Sequence, residues 1–473
     1  MRTKKKIEID KFDKFFEESN DLCEKFYNVS MNNSLTNSIG IRVAEFPFNR
    51  ESELQYKLNT QDLNITAVKG LTYFKQYFPI SGNTQYRVLL YGDDKKVYIN
   101  QLFYESGDMD WLYGLTFNSS PITLAYKKND ADAIILSSTD KMVVWRTDYA
   151  PYTIENVPII TSMCMNEGVL YCTIKEPAFK IWYATDLDVE NIGQINNNSG
   201  YISLEDDLGY ARKVVTFDES VYVFRDYGIT KITNYKRENS ISQIYKSNTM
   251  IYCDTVSVCG NLIFFMTKDG VYSFNGVKVS KTNIDLSDLL TGDMSNASAS
   301  SLGSKYFVAL KLNFNDDKEI LCEMTEHKNN AVLVVDITDE SYQIIRGIDI
   351  QSFLPVKTDK FEKMLVTFNS IYETEVGEIV QDSVCFDREL SKYWRIDNLT
   401  KDMNTKLFTS LKIDSKEDTQ ININFDNKKL TFYTYQNGVN KFNFKVCSSD
   451  CSVEVLSEKD LKVDKIEIDY YEY

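Results

Sequence analysis

Histidine is nearly missing from this chain: His327 is the single one among 473 residues. A His-rich metal centre cannot be built from one imidazole. The polar run Glu323–Asn330 around it reads as an exposed loop, without the partner motifs of a Ser-His-Asp relay. Glycine (19) and proline (7) are scarce, so most turns must use Asn, Asp, Ser and Lys. No stretch approaches the roughly 18 uninterrupted apolar residues of a membrane span. The basic start Met1–Lys6 is followed by an amphipathic segment and not an apolar run, so no signal peptide is expected. The 9 cysteines show no paired framework, which predicts free thiols and synthesis in a reducing cytoplasm.

Other chemistry is missing too. There is no Walker loop, dinucleotide fingerprint or nucleophile elbow. The Ser-X-Asp-X-Gly-X-X-Trp turn of sialidase blades does not occur. Cys447 and Cys451 could hold half a zinc site, but no second pair matches them, and two thiols flanking a hairpin turn is the plainer reading. Asp316-Asp317 and the group Asp186, Asp188, Glu190 lack the Gly and the closing Glu of a calcium loop. The sequence therefore nominates no catalytic residue, no cofactor-binding residue and no metal ligand, and the chain is expected not to be an enzyme.

What is present is strand-forming. Hydrophobic residues make up 43% and aromatic residues 13%, with 31 Tyr and 27 Phe. Trp111, Trp145, Trp182 and Trp394 sit within apolar runs and read as space-fillers. Acids outnumber bases 69 to 53, for a formal charge of −16. That balance argues against static nucleic-acid binding, which needs a basic face. It does suit a channel from which phosphates must slip freely.

Ser220–Ile232 and Asn261–Phe274 look like two copies of one strand–turn–strand unit. Val88–Ile99 and Ile134–Trp145 are weaker echoes. A hairpin recurring every forty-odd residues predicts the four-stranded blades of a β-propeller, which need about 40–50 residues each. The span 61–385 then holds about six or seven blades, with a double-sheet arrangement as the alternative that the degenerate repeat leaves open. Gly228 and Gly270 should each stand beside a turn, in equivalent places of adjacent blades.

The flanks differ. Residues 1–60 read as an N-terminal arm, with a linker after an amphipathic helix over 8–28. Phe12, Phe15, Phe16 and Phe26 share one helical face, which either packs on its own domain or docks on a neighbouring subunit. These four are the candidate partner-docking residues. Over 386–473, Leu407–Ile413, Gln420–Phe425, Leu430–Tyr435, Phe442–Val446 and Lys465–Tyr470 alternate apolar and polar. One wet and one buried face predicts a C-terminal antiparallel β-sandwich-like domain.

The runs Val221–Ile232 and Thr255–Gly276 resemble β-propeller virion proteins of tailed bacteriophages, in the style of tail nozzle, tail hub or packaged-DNA-stabilisation proteins. Ala331–Ile337 through Ile344–Ile350 is similar to their blades, and Tyr393–Arg395 with Lys465–Tyr470 to their C-terminal β-domain. The resemblance implies a structural protein of the virion tail, made in the host bacterial cytoplasm. It implies a homo-oligomeric ring that contacts other tail or adaptor proteins and guides or retains the genome, with phage DNA passing transiently. It carries over no catalytic residue and no cofactor. Two rivals come from other classes: a propeller that binds a host-surface glycan or protein, and a propeller-based glycoside hydrolase with an axial carboxylate pair.

Overall fold

The computed structural model describes the chain apart from residues 1–2, 11, 13–22, 32–33, 47–55, 58–62, 64, 66, 101–108, 129–130, 148, 187, 236–237, 285, 287–288, 292, 315–327, 339–340, 358–361, 370–373, 381–383, 386–387, 390, 398, 401–403 and 473.

The repeated hairpins are the middle strands of blades. Ser220–Arg225 pairs with Gly228–Tyr235, and Leu262–Thr267 with Gly270–Phe274, each antiparallel and second to third in its four-stranded sheet. The echoes at Asn83–Gly92 with Lys96–Asn100, and at Ala131–Ser137 with Met142–Arg146, hold the same place. Val221, Tyr222, Val223 and Phe224 are all buried, because blades pack on both faces of a sheet and no wet side remains. Gly270 follows the turn at φ 124°, which favours glycine. Gly228 has another reason: a Cβ there would lie 2.5 Å from the Tyr245 carbonyl oxygen.

The described residues form a ring of seven blades. Blades 1 to 5 begin at Val68, Ile122, Ile160, Ala211 and Ile251, each a separate four-stranded sheet. Blade 6 comprises Ser298–Leu302, Lys305–Leu310, Ala331–Asp336 and Ser341–Arg346. Blade 7 comprises Asp349–Lys357, Glu362–Asn369 and Thr374–Val380, and its fourth strand is Gly40–Val43 from the other end of the chain. Apolar clusters join neighbours all the way round. Phe265 packs with Phe224 between blades 4 and 5, and Val366 with Val332 between 6 and 7. The circle closes where Val356 and Leu365 of blade 7 share a core with Val88 and Leu90 of blade 1. The Tyr73 hydroxyl donates to the Lys357 carbonyl at the same seam, at 3.3 Å.

The seventh blade carries an ion cluster around a buried carboxylate. Glu378, 1% exposed, accepts from Arg42 Nε at 2.5 Å and from Lys363 Nζ at 2.7 Å. These residues stand on three adjacent strands, so the carboxylate fastens the N-terminal strand to the blade it completes.

The C-terminal region is a two-sheet sandwich. One sheet orders Leu35–Asn37, Lys462–Glu472, Lys406–Ser415 and Gly438–Ser448, with Thr3–Ile9 also on Lys462–Glu472. The other orders Cys23–Tyr27, Lys392–Ile396, Cys451–Ser457, Gln420–Phe425 and Lys428–Tyr433. Phe408, Leu411, Ile413, Ile466 and Ile468 face Trp394, Ile421, Ile423, Val453 and Val455 across the core. The first sheet continues through Val29–Met31 into Ser341–Arg346, so blade 6 and the sandwich share one ten-stranded sheet.

The expected N-terminal helix over 8–28 is corrected here. Its described ends are strands, Thr3–Ile9 and Cys23–Tyr27, and its middle lies outside the described residues. The reason is tertiary: Ile7 and Ile9 pair with Ile468 and Ile466, a ready-made apolar edge that outweighs the helical spacing. The described strands among the first 43 residues belong to both sandwich sheets, to the sheet that joins blade 6, and to blade 7.

Candidate functional site

Two of the four docking phenylalanines are already used internally. Phe12, 4% exposed, meets Trp394 edge-on at 5.4 Å. Phe26, 5% exposed, meets Tyr342 of blade 6 at 5.2 Å. Neither offers a free face to a partner. Phe15 and Phe16 lie outside the described residues, as do His327, Asp316 and Asp317. Cys447 is exposed and Cys451 buried, both free, flanking the turn between Gly438–Ser448 and Cys451–Ser457. Among the described residues, no three His, Cys, Asp or Glu side chains are placed to hold a metal ion.

The acidic group in blade 3 does not act together. Glu190 accepts from the buried Lys128 ammonium and from the Tyr152 hydroxyl, tying blade 2 to blade 3. Burial pushes its carboxyl up, but these two hydrogen bonds outweigh that and hold it below the usual range. Asp188 is engaged by Asn198. Among the described residues a second buried cation, Arg87, is held by neutral oxygens: Gln76 at 3.0 Å, Gln85 at 2.8 Å and the Asn100 carbonyl at 3.3 Å. Burial lowers its pKa to about 10.

Two surfaces of opposite charge stand out. The first is the edge of the sandwich, where Lys428–Tyr433 ends one sheet and Gly438–Ser448 ends the other. Phe432, Phe442 and Phe444 are half-buried between them, with ring centroids 4.9 Å and 5.6 Å apart from Phe432. Tyr433, Tyr435 and Val439 are exposed around this seam. The segment from Lys428 to Ser448 holds four lysines and no acid. Lys429 pairs with Glu454 at 3.1 Å, while Lys428, Lys441 and Lys445 are exposed and make no ion pair among the described residues.

The second surface lies on blades 3 and 4, at the end where their first and second strands turn. Glu167 and Gly168 make one turn and Asp218 and Glu219 the other, all four at positive φ. Such two-residue turns favour Asn-Gly, so Glu and Asp-Glu there put carboxylates where the backbone would prefer other residues. Asn166 Nδ2 bonds the Glu219 carbonyl at 3.4 Å, and the Asp186 amide bonds the Gly168 carbonyl at 2.8 Å. Glu167, Asp186, Asp218 and Glu219 thus form one rim, and none has a salt-bridge partner among the described residues. Reading the sequence for catalytic motifs missed both surfaces. The signal was local charge: a lysine-only stretch within a chain of net charge −16.

No family model and no curated protein matches the chain. Among solved structures it is similar to BBS1N from a crystal structure in complex with ARL6DN, soaked with lead. That match has 10% identity over 67% of this chain and 94% of that one, with a TM-score of 0.44. It is also similar to the N-terminal domain of Nup159, at 8% identity over 78% of this chain and 98% of that one, with a TM-score of 0.40. Similarity at this level carries no argument about this chain, and the propeller stands on the strand pairing described above.

Proposed function

We propose that this chain is a structural protein of a bacteriophage virion tail, a nozzle or hub ring that works by binding and not by catalysis. The observation that carries the structural reading is the ten-stranded sheet running from blade 6 into the sandwich. Propeller and sandwich are joined by strand pairing instead of a linker, so a load on one is passed to the other. A scaffold ring needs such a body, and a small-molecule enzyme does not. The tail placement is supported by the resemblance of Val221–Ile232 and Thr255–Gly276 to tail propellers. In this reading the chain is made in the host cytoplasm, joins adaptor or tail proteins, and lines a path through which phage DNA passes.

A second reading, a propeller that grips a surface glycan, has one observation in its favour. Trp111 and Tyr113 are exposed, at 48% and 68%, on the outer strand of blade 1, beside a bulge. Such rings can stack on sugars. Immunogold electron microscopy of particles from the producing culture separates the two. Gold at the tail end is expected. Undecorated particles, with the isolated monomer binding a glycan array, would favour the glycan reading.

A further inference from the structure

We propose that the basic sandwich edge is the docking surface for a second copy of this chain, and that it seats on the acidic rim of blades 3 and 4. The inference rests on the ring reading above and names the contact that builds the ring.

The edge has the marks of a protein interface. Two sheet edges without a further strand partner among the described residues meet here, and an apolar seam of Phe432, Phe442 and Phe444 runs between them. The rings pack on one another, so their faces are not free to stack on bases, which disfavours a nucleic-acid strand as the occupant. The lysines select an acidic occupant, and the chain itself is acidic at −16.

Charge also decides the symmetry. A two-fold contact would set Lys441 and Lys445 against copies of themselves, and like charges facing across strands are destabilising. A heterologous contact avoids this and generates rings when the rotation closes. It needs a second, different surface on the same body. The rim at Glu167, Asp186, Asp218 and Glu219 supplies four carboxylates without a salt-bridge partner among the described residues. It lies on blades 3 and 4, whereas the sandwich extends blade 6. The two surfaces therefore stand on separate elements of the body, as a heterologous contact requires.

The test is sedimentation velocity on the full chain over a range of concentration and salt, with zero-length carbodiimide cross-linking and mass spectrometry. Wild type should self-associate at low salt. Intermolecular links should join Lys428, Lys441 or Lys445 to Glu167, Asp186, Asp218 or Glu219. The triple variant Lys428→Glu/Lys441→Glu/Lys445→Glu should weaken association at least tenfold. So should Glu167→Lys/Asp218→Lys/Glu219→Lys. Mixing the two variants should restore association, since the acidic edge of one then meets the basic rim of the other and the remaining contact is the original basic edge on acidic rim. These are exposed residues, and circular dichroism would check that each variant is folded. A wild type that stays monomeric, or a lysine triple variant that associates like wild type, overturns the inference. So does a monomer whose lysines instead retain labelled single-stranded DNA. Any of these leaves the tail reading to be decided by the gold labelling.

Discussion

Asn28 sits at φ 58° and is fully buried where the sandwich meets blade 6. Its backbone amide donates to the Ile344 carbonyl at 2.6 Å. Its side-chain oxygen accepts from the Arg346 amide at 2.8 Å, and its side-chain nitrogen donates to the Ser391 carbonyl at 2.9 Å. Asparagine tolerates the left-handed region better than most residues and brings both bonds. Asn28→Ala is expected to cost about 3 kcal/mol, through two buried groups left unpaired and a strained φ. Asn28→Gly relieves the φ and should cost about 1 kcal/mol less. Urea midpoints in the order wild type, Gly, Ala check this. Thiol reactivity is a second readout at this scale. Burial raises Cys164 to about 12 and Cys259 to about 11, and it also raises Cys172, Cys253 and Cys451. Among Cys164, Cys172, Cys253, Cys259, Cys447 and Cys451, Cys447 is the exposed one, so native labelling should modify it before the other five, which should react only on unfolding. Rapid native labelling of Cys172 would contradict the packing of blades 2 and 3.

The blade hairpins were legible in the sequence and the N-terminal strands were not, and the difference is one of range. Ser220–Arg225 and Gly228–Tyr235 are joined by a two-residue turn and buried on both sides, so apolar runs and turn residues fall together. Thr3–Ile9 finds its partner at the opposite end of the chain, where Lys6 meets Glu467 across 461 positions. Phe12 and Phe26 kept a helix-like spacing because each fills a separate hole, against Trp394 and Tyr342. The rim was illegible as a site, since only folding brings Glu167, Asp186 and Glu219 together, whereas the basic edge is marked by the lysine-only stretch Lys428–Ser448. Deletion of residues 1–28 is therefore expected to strip a strand from each sandwich sheet, not to release a docking arm. Hydrogen exchange should accelerate across Lys392–Ile396 and Lys462–Glu472, with a lower melting temperature. An unchanged melt would contradict the pairing. Acid should loosen the same element. Glu467 accepts from Lys6 at 3.1 Å, Lys412 at 3.3 Å and Lys465 at 3.0 Å. The hydrogen bonds from Lys465 and Lys6 lower its pKa to about 2. A carboxylate lowered from an unfolded value of about 4.3 stabilises the fold above that pH and loses the contribution on the way down to about 2. Exchange protection of Thr3–Ile9 should fall between about pH 5 and 2, and Glu467→Gln should flatten that slope.

The whole molecule is a closed circle made from both ends of one chain. Blade 7 depends on Gly40–Val43, and Glu378 locks that strand with Arg42 and Lys363. Arg42 reaches solvent, at 53% side-chain exposure, so Glu378→Ala should cost less than the roughly 3–5 kcal/mol of a fully buried pair, at about 2. Because the strand closes the ring, the loss should appear as a single lower unfolding transition in calorimetry and not as local fraying. The propeller, the sandwich welded to blade 6 and the two charged surfaces underlie the proposal that copies of this chain repeat around an axis in the virion tail. Quantitative mass spectrometry of purified phage particles tests that claim most directly. This chain should be present at a fixed multiple of the portal protein, constant between preparations. A chain absent from the particles, or present in amounts that wash away, would contradict it.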